Sequence, residues 1–398
     1  AATMGMSPID LGMAAADWAG HLALSPGKML SLAESATRKS LEVTRVNWAA
    51  LRGKKDALPA MADRRMQSER WRGWPFAVWA HAHQAAKAWT QELTTGVDGV
   101  SPQHEQLCRF FALQMVEAMS PANLPLTNPD VLSATREERG KNLARGVANF
   151  AKDQWRKRRG QPAEGLEDFV PGQQVATSPG RVVFRNELME LIQYAPKTET
   201  VAPEPVLLVP AWIMKYYILD LSPGNSLVRY LVEQGKTVFV VSWKNPVAED
   251  HHLGMDDYLS RGVLKALEVV ETIIPDQKVH GVGYCLGGTL LAIAAAYLAR
   301  EGEDRLKTLS LFAAQIDFRD AGEVKLFIAE STLSFLETLM KDRGYLAIDN
   351  MVGAFSALRV SDLVHEPAVQ RYFLGKERKL NDLMAWNSDG TRMPYRMH

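Results

Sequence analysis

From residue 1 to about 165, apolar positions recur at three- and four-residue intervals, as in HAHQAAKAWTQEL and LCRFFALQMVEAM, which predicts an all-helical region. The stretch RKRRGQPAEGLEDFVPGQQVATSPGR is polar and broken by Pro and Gly, and it marks a domain boundary. Its basic run Lys157, Arg158, Arg159 reads as a solvated linker rather than a phosphate contact. Beyond it the period changes. PVLLVP (205–210) is a short apolar run, SLVRYLVEQG (226–235) an amphipathic helix closed by glycine, and KTVFVVSW (236–243) a β-branched, aromatic strand. In MDDYLSRGVLKALEVVETIIP (255–275), Tyr258, Val263, Leu267, Val270 and Ile274 share one stripe, which predicts a second crossover helix. The strand QKVHGVGY, a helix from Thr289 to about Arg300 and the strand-like LKTLSLFAAQ follow. Successive strand, helix, strand units of this length predict an α/β fold with a parallel sheet and helices on both faces. From about Phe318 the pattern is helical and irregular, with no further clear strand. The expected division is a helical domain at 1–165, an α/β core at 166–317 and a third region at 318–398.

Composition narrows the function classes. With 46% apolar residues, 23% charged residues and 46 basic against 46 acidic side chains in 398 residues, the chain is an ordinary globular one. Nothing in that balance points to nucleic acid or an anionic membrane surface. The cysteines, Cys108 and Cys285, are too far apart in sequence for a CxxC site and give no disulfide framework, so a reducing, cytoplasmic compartment is expected. The start carries Asp10 and Asp17 and no early Lys or Arg, unlike a secretory signal. The apolar run Val279 to Ala299 is interrupted by Gly281, Gly283, Gly287 and Gly288, which fits a buried strand, turn and helix better than a membrane span. A first residue of Ala rather than Met suggests part of a longer or processed chain.

The chemistry gathers at Gly283-Tyr284-Cys285-Leu286-Gly287, a G-x-C-x-G between a predicted strand and a predicted helix. That is the setting of a nucleophile elbow: the nucleophile sits in a strained turn, and side chains two positions before and after it would strike the neighbouring strand or helix. Gly288 extends the glycine set. At a helix N-terminus Cys285 feels the positive end of the macrodipole, which favours thiolate, and the amide of Leu286 is placed to donate to an oxyanion. A thiol accepts an acyl group from a thioester in a nearly balanced exchange and passes it on to an alcohol downhill, so the cysteine suits acyl transfer between thioester and hydroxyl better than ester hydrolysis. Such a site must also keep water out.

The sequence resembles the poly(3-hydroxyalkanoate) synthases over most of its length, through DRRMQSERWRGWPF (63–76), SPANLPLTNPDVL (120–132), TSPGRVVFRNELMELIQYAP (177–196), KYYILDLSPGNSLVRYLVEQGKTVFVVSWKNP (215–246), GYCLGGTLLA (283–292) and WNSDGTRMPYRMH (386–398). GYCLGG is similar to the class that polymerises short-chain monomers. The resemblance implies an α/β-hydrolase core with a helical cap insertion, cap residues within 318–398, and an N-terminal helical domain at 1–165 associated with dimerisation and granules. It implies a homodimer acting in the cytoplasm at polyester granules on (R)-3-hydroxyacyl-CoA. The acyl group is loaded on Cys285 and attacked by the hydroxyl of a growing chain or monomer, with coenzyme A released. No cofactor and no metal are implied, because the coenzyme A thioester is the substrate. A second oxyanion amide is expected from the loop Ala211 to Met214, with Ile213 as the candidate.

The chain departs from this pattern after Cys285. The fold's order is nucleophile, acid, histidine, yet only about 110 residues follow Cys285, with one convincing strand among them. The expectation is a synthase truncated at its C-terminus, its family Asp and His beyond the chain end, with poor stability or aggregation when isolated. His365 and His398, the histidines after Cys285, read as cap residues rather than the base, and Asp317 and Asp320 as structural. Trp71, Trp74 and Phe76 read as an aromatic core before a granule contact, and Cys108 as an inert buried thiol. Lys215, Tyr216 and Tyr217 fit channel lining and packing equally well, whereas His251 and His252 lack further metal ligands. The competing functions are a thioesterase or esterase on the same elbow, and a catalytically incomplete homologue that binds granules.

Overall fold

The computed structural model describes residues 6–348, 350, 351, 353, 359–378 and 380–398. The chain forms two compact units. One comprises Ala1–Ala163, Gly322–Phe335 and Val352–Arg378, and the other Glu164–Ala321, Leu336–Met351 and Lys379–His398. The first boundary falls within the Pro- and Gly-containing stretch, while the region from 318 to 398 divides between both units.

The helical unit opens with α1 (Pro8–Ala23), α2 (Pro26–Leu51), α3 (Phe76–Thr94), α4 (Pro102–Ala118), α5 (Pro129–Glu137) and α6 (Lys141–Arg158). Several start on a capping residue followed by proline. Ser7 accepts from the amide of Ile9, Ser101 from that of His104, and Asn128 from those of Asp130 and Val131. Trp71 is buried with Met66, Ala80 and Ala122, while Met6, Ala14, Leu107 and Phe110 enclose Leu326 from the later chain. Residues 371–375 are held to α6. Arg371 makes a two-pronged ion pair with Asp153 at 2.6 and 2.7 Å, and a Cβ on Gly146 would lie 1.8 Å from the Tyr372 carbonyl oxygen.

The second unit is built on a six-stranded sheet. Its strands are β1 (Gly180–Arg185), β2 (Met189–Tyr194), β3 (Val206–Val209), β4 (Val238–Trp243), β5 (Val279–Tyr284) and β6 (Leu306–Phe312), in the order β1-β2-β4-β3-β5-β6. β1 and β2 pair antiparallel with each other and β2 pairs antiparallel with β4, whereas β4, β3, β5 and β6 run parallel. This is the strand order and direction of an α/β-hydrolase sheet. β3 is buried along its whole length, as a central parallel strand must be when both faces are covered. The helices α7 (Leu227–Glu233), α9 (Lys265–Ile273) and α10 (Leu286–Glu301) supply the crossovers.

Two features differ from the pattern-based expectation. The β1–β2 hairpin lies in a stretch whose apolar residues do not alternate cleanly; β1 is the sheet edge, and most of its residues are exposed. The helix expected over 255–275 is divided into α8 (Met255–Asp257), a π-helical segment Tyr258–Leu264, and α9. At Gly262 a Cβ would lie 2.7 Å from the Trp243 ring, so the wider π turn and the glycine together admit the indole. The stripe still faces inward, with Tyr258, Val263, Leu267 and Val270 buried and Ile274 packed at the edge of the same core. After Phe318 the strands among the described residues are the two-residue Tyr345–Leu346 and Met393–Pro394, which pair with each other. No helix of the described residues is long and apolar enough to cross a membrane.

Candidate active site

β5 ends at Tyr284 and α10 begins at Leu286, leaving Cys285 as the whole turn between them. Its backbone sits at φ 53° and ψ −129°, a conformation that costs a side-chain-bearing residue about 1–3 kcal/mol and persists only when its surroundings enforce it. They do so here by hydrogen bonds. The Cys285 amide donates to the Phe312 carbonyl at 2.9 Å, and its own carbonyl accepts from Gly288 at 2.9 Å and Thr289 at 3.2 Å. The Thr289 hydroxyl donates to the Gln315 carbonyl at 2.7 Å, tying the first turn of α10 to the chain beyond β6.

The flanking glycines are required by space. A Cβ on Gly283 would lie 2.2 Å from Gly288 Cα, and one on Gly287 would lie 2.2 Å from the Val209 oxygen and 2.4 Å from the Pro210 oxygen. On Gly288 it would meet the Ala314 Cβ at 2.5 Å. Gly283 and Gly287 meet backbone atoms, which cannot rotate away as a flexible side chain would. The helix begins three residues earlier than periodicity predicts; Gly287 and Gly288, poor helix formers, occupy its first turn and hide it from the pattern.

β3 and β5 are parallel neighbours with Val209 opposite Gly283, so the loop after β3 and the elbow after β5 leave the same edge of the sheet side by side. Ligands bind at that edge in open α/β sheets. The loop is buried at Ala211, Trp212 and Ile213, and Cys285 and Leu286 pack against the apolar cluster that contains all three. Trp243 Nε1 donates to the Pro210 carbonyl at 2.8 Å, fixing where the loop begins. Among the described residues, the amides of Leu286 and Ile213 donate to no acceptor and no group hydrogen-bonds the Cys285 thiol. The site therefore presents a half-buried thiol and two uncommitted amides in adjoining loops.

The other sequence candidates fall elsewhere or do structural work. His365 belongs to the helical unit, half-buried, where burial, helped by the charge of Arg65, pulls its imidazole below the usual range against the charge of Glu117. His398 is exposed. Asp317 is exposed and paired with Arg319, whose guanidinium holds its carboxyl below the usual range; Asp320 is also exposed. Tyr217 is buried, its hydroxyl donating to Asp389 at 2.6 Å, and Tyr216 meets it edge to face, so both pack rather than hang free. Phe76 meets Trp71 and Trp79 edge to face, whereas Trp74 is exposed and donates to Asn47. Cys108 is half-buried, and burial pushes its thiol upward. His251 and His252 each bond a nearby carbonyl through Nδ1, and no three potential ligands converge for a metal among the described residues. Arg159 stacks over Trp155.

One contributor escaped the sequence reading. Thr391 is fully buried in the α/β unit, where its hydroxyl donates to the Trp212 carbonyl at 2.8 Å and its amide to the Ile213 carbonyl at 3.0 Å. The segment WNSDGTRMPYRMH is a visible motif, but nothing local reveals that its threonine grips a loop 179 residues earlier.

Two family models match the chain: "Poly-beta-hydroxybutyrate polymerase N terminal" over residues 1–28 and "Poly-beta-hydroxybutyrate polymerase (PhaC) N-terminus" over 62–231. The poly(3-hydroxyalkanoate) polymerase of Methylorubrum extorquens is 39% identical over 347 residues, 85% of this chain and 57% of that protein. Poly(3-hydroxyalkanoate) polymerase subunits of Rhizobium etli and Cupriavidus necator are each 37% identical, covering 84% and 87% of this chain and 53% and 60% of theirs. The chain thus spans between half and about three fifths of the length of these relatives. Among solved structures, a fungal esterase of Rhizomucor miehei aligns with a TM-score of 0.29 and 17% identity, over 56% of this chain and 63% of that one, too remote to add to the topology above. With matches running through both units and six relatives at 31–39% identity over 84–87% of the sequence, the chain belongs to the poly(3-hydroxyalkanoate) polymerase family.

Proposed function

We propose that this chain carries the nucleophile and oxyanion site of a polyester-forming acyltransferase. The sulfur of Cys285 adds to the carbonyl of an (R)-3-hydroxyacyl-CoA. Collapse of the resulting oxyanion breaks the bond to coenzyme A, which leaves with the thiol proton. The hydroxyl of a chain end or monomer then attacks the enzyme thioester. An ester C–O bond forms, the bond to Cys285 breaks, and the hydroxyl proton returns to the cysteine sulfur. The amides of Leu286 and Ile213 are the proposed oxyanion donors in both steps, at a site where fixed dipoles stabilise charge that solvent would otherwise have to reorganise around. The reading extends to a homodimer at the surface of polyester granules in the cytoplasm, with the thioester as substrate and no separate cofactor.

The observation that carries it is the left-handed backbone of Cys285, enforced by glycines with no room for a Cβ. A packing cysteine needs no such conformation, whereas a nucleophile does, because the turn lifts its side chain clear of the sheet edge. Similarity to proteins named polymerases favours transfer to a hydroxyl over hydrolysis on the same elbow. The test supplies (R)-3-hydroxybutyryl-CoA and follows coenzyme A release and insoluble polymer together, with Cys285→Ala as control. Polymer lost in the variant supports the proposal. Coenzyme A with only free acid would indicate a thioesterase, and no turnover in either protein would indicate a binding role.

A further inference from the structure

The loop after β3 must show one amide to the substrate and hide its carbonyls, yet a four-residue turn has several ways to orient its peptide planes. The structure assigns that choice to Thr391. We infer that Thr391 is a positioning residue for oxyanion stabilisation, holding the Trp212–Ile213 peptide so that the Ile213 N–H stays available beside the elbow; this rests on the acyl-transfer reading of Cys285.

A peptide group is planar and trans, so the C=O of one residue and the N–H of the next point in opposite directions. The Thr391 hydroxyl donates to the Trp212 carbonyl at 2.8 Å and thereby fixes the Ile213 N–H on the far side of that plane. The Thr391 amide donates to the Ile213 carbonyl at 3.0 Å and orients the next plane, whose Met214 N–H turns back to the Ala211 carbonyl at 3.4 Å. Met214 is thus committed within the loop, while the Ile213 N–H makes no hydrogen bond among the described residues. One buried residue, through its hydroxyl and its backbone amide, orients two consecutive peptide planes and leaves a single donor uncommitted.

The surrounding motif keeps Thr391 in place. Trp386 Nε1 donates to the Lys215 carbonyl at 2.8 Å, the Tyr217 hydroxyl donates to Asp389 at 2.6 Å, and Gly390 forms an antiparallel bridge with Met214. WNSDGTRMP therefore runs along 212–217 as a splint, and its Trp, Asp, Gly and Thr each have a contact on that loop. A buried threonine also carries a hydroxyl that valine, of the same shape, would not have to desolvate, so its use on a loop carbonyl calls for a reason.

The experiment compares two reactions of the same sulfur. Acylation of Cys285 by p-nitrophenyl butyrate passes through an oxyanion, whereas alkylation by iodoacetamide does not. Both rates are read by mass spectrometry on the chain and on Thr391→Val and Thr391→Ser. The expected result is an acylation rate about tenfold lower in Thr391→Val with alkylation within about twofold of the parent, and recovery of most of the acylation in Thr391→Ser, which keeps the hydroxyl. Equal loss of both reactions, or loss of neither, would overturn the assignment. Because neither reagent is a polymer precursor, failure of the polyester reading would show separately, as absence of insoluble polymer when the parent protein is supplied with (R)-3-hydroxybutyryl-CoA.

Discussion

At the residue scale, the account turns on a backbone held in an unfavourable conformation for the sake of its side chain. Cys285→Gly removes the side chain that makes φ 53° costly, so it is expected to raise stability by about 1 kcal/mol while abolishing acylation; thermal unfolding and thiol labelling check both halves. Gly287→Ala is expected to lower stability instead. Its Cβ would lie 2.2 Å from a backbone oxygen, so the elbow must shift, with about 3 kcal/mol lost and acylation reduced together. These glycines were legible in the sequence because their reasons are local, set by spacing around one turn. Thr391 was not, since its partner carbonyls belong to another element and its value appears only once the two segments lie together. Tyr217 failed in the same way: beside a loop of interest it read equally as channel lining, and only Asp389 decides for packing.

At the scale of elements, the parallel strands β3 to β6 were legible because burial on both faces makes them continuous apolar runs bounded by turn signals. The β1–β2 hairpin was not, because an exposed edge strand loses the hydrophobic pattern that announces it. Within the helical unit, a buried ion cluster joins α3 and α4 to the segment before α3. Arg65 donates to Asp63 and Glu117, and Lys87 donates to Glu117 at 3.0 Å. Burial alone would push Glu117 upward, but a hydrogen bond from Ser361 and the charges of Arg65 and Lys87 outweigh it and hold the carboxyl down at about 2. A carboxyl depressed on folding stabilises the native state above its unfolded value, so this contribution is complete above about pH 5 and is lost as the pH falls towards 2. Glu117→Gln, which leaves Arg65 short of a partner, is expected to cost about 3 kcal/mol at neutral pH and to flatten the acid limb of the stability curve. Denaturant unfolding between pH 2 and 7 checks this, and parallel curves for the two proteins would refute it.

At the scale of the whole molecule, β6 is an open sheet edge that carries Leu309 at 40% and Phe312 at 45% exposure. Such an edge is a template for pairing with another chain, so the protein is expected to self-associate as its concentration rises, and Leu309→Lys to weaken that association. Sedimentation at several concentrations gives the answer, and a monomer throughout would refute it. The change of period near residue 165 lies beside a boundary between the two units, but the stretch 318–398, which read as a third region, divides between them, because helical periodicity says nothing about which core a helix joins. Whether Cys285 accepts the acyl group is read by exposing the protein to (R)-3-hydroxybutyryl-CoA, quenching in acid and locating the acyl mass by peptide mapping. The account predicts a hydroxybutyryl adduct on the peptide that contains Cys285, absent from Cys285→Ala. An adduct on Cys108 instead, or coenzyme A release that survives the substitution, would contradict it.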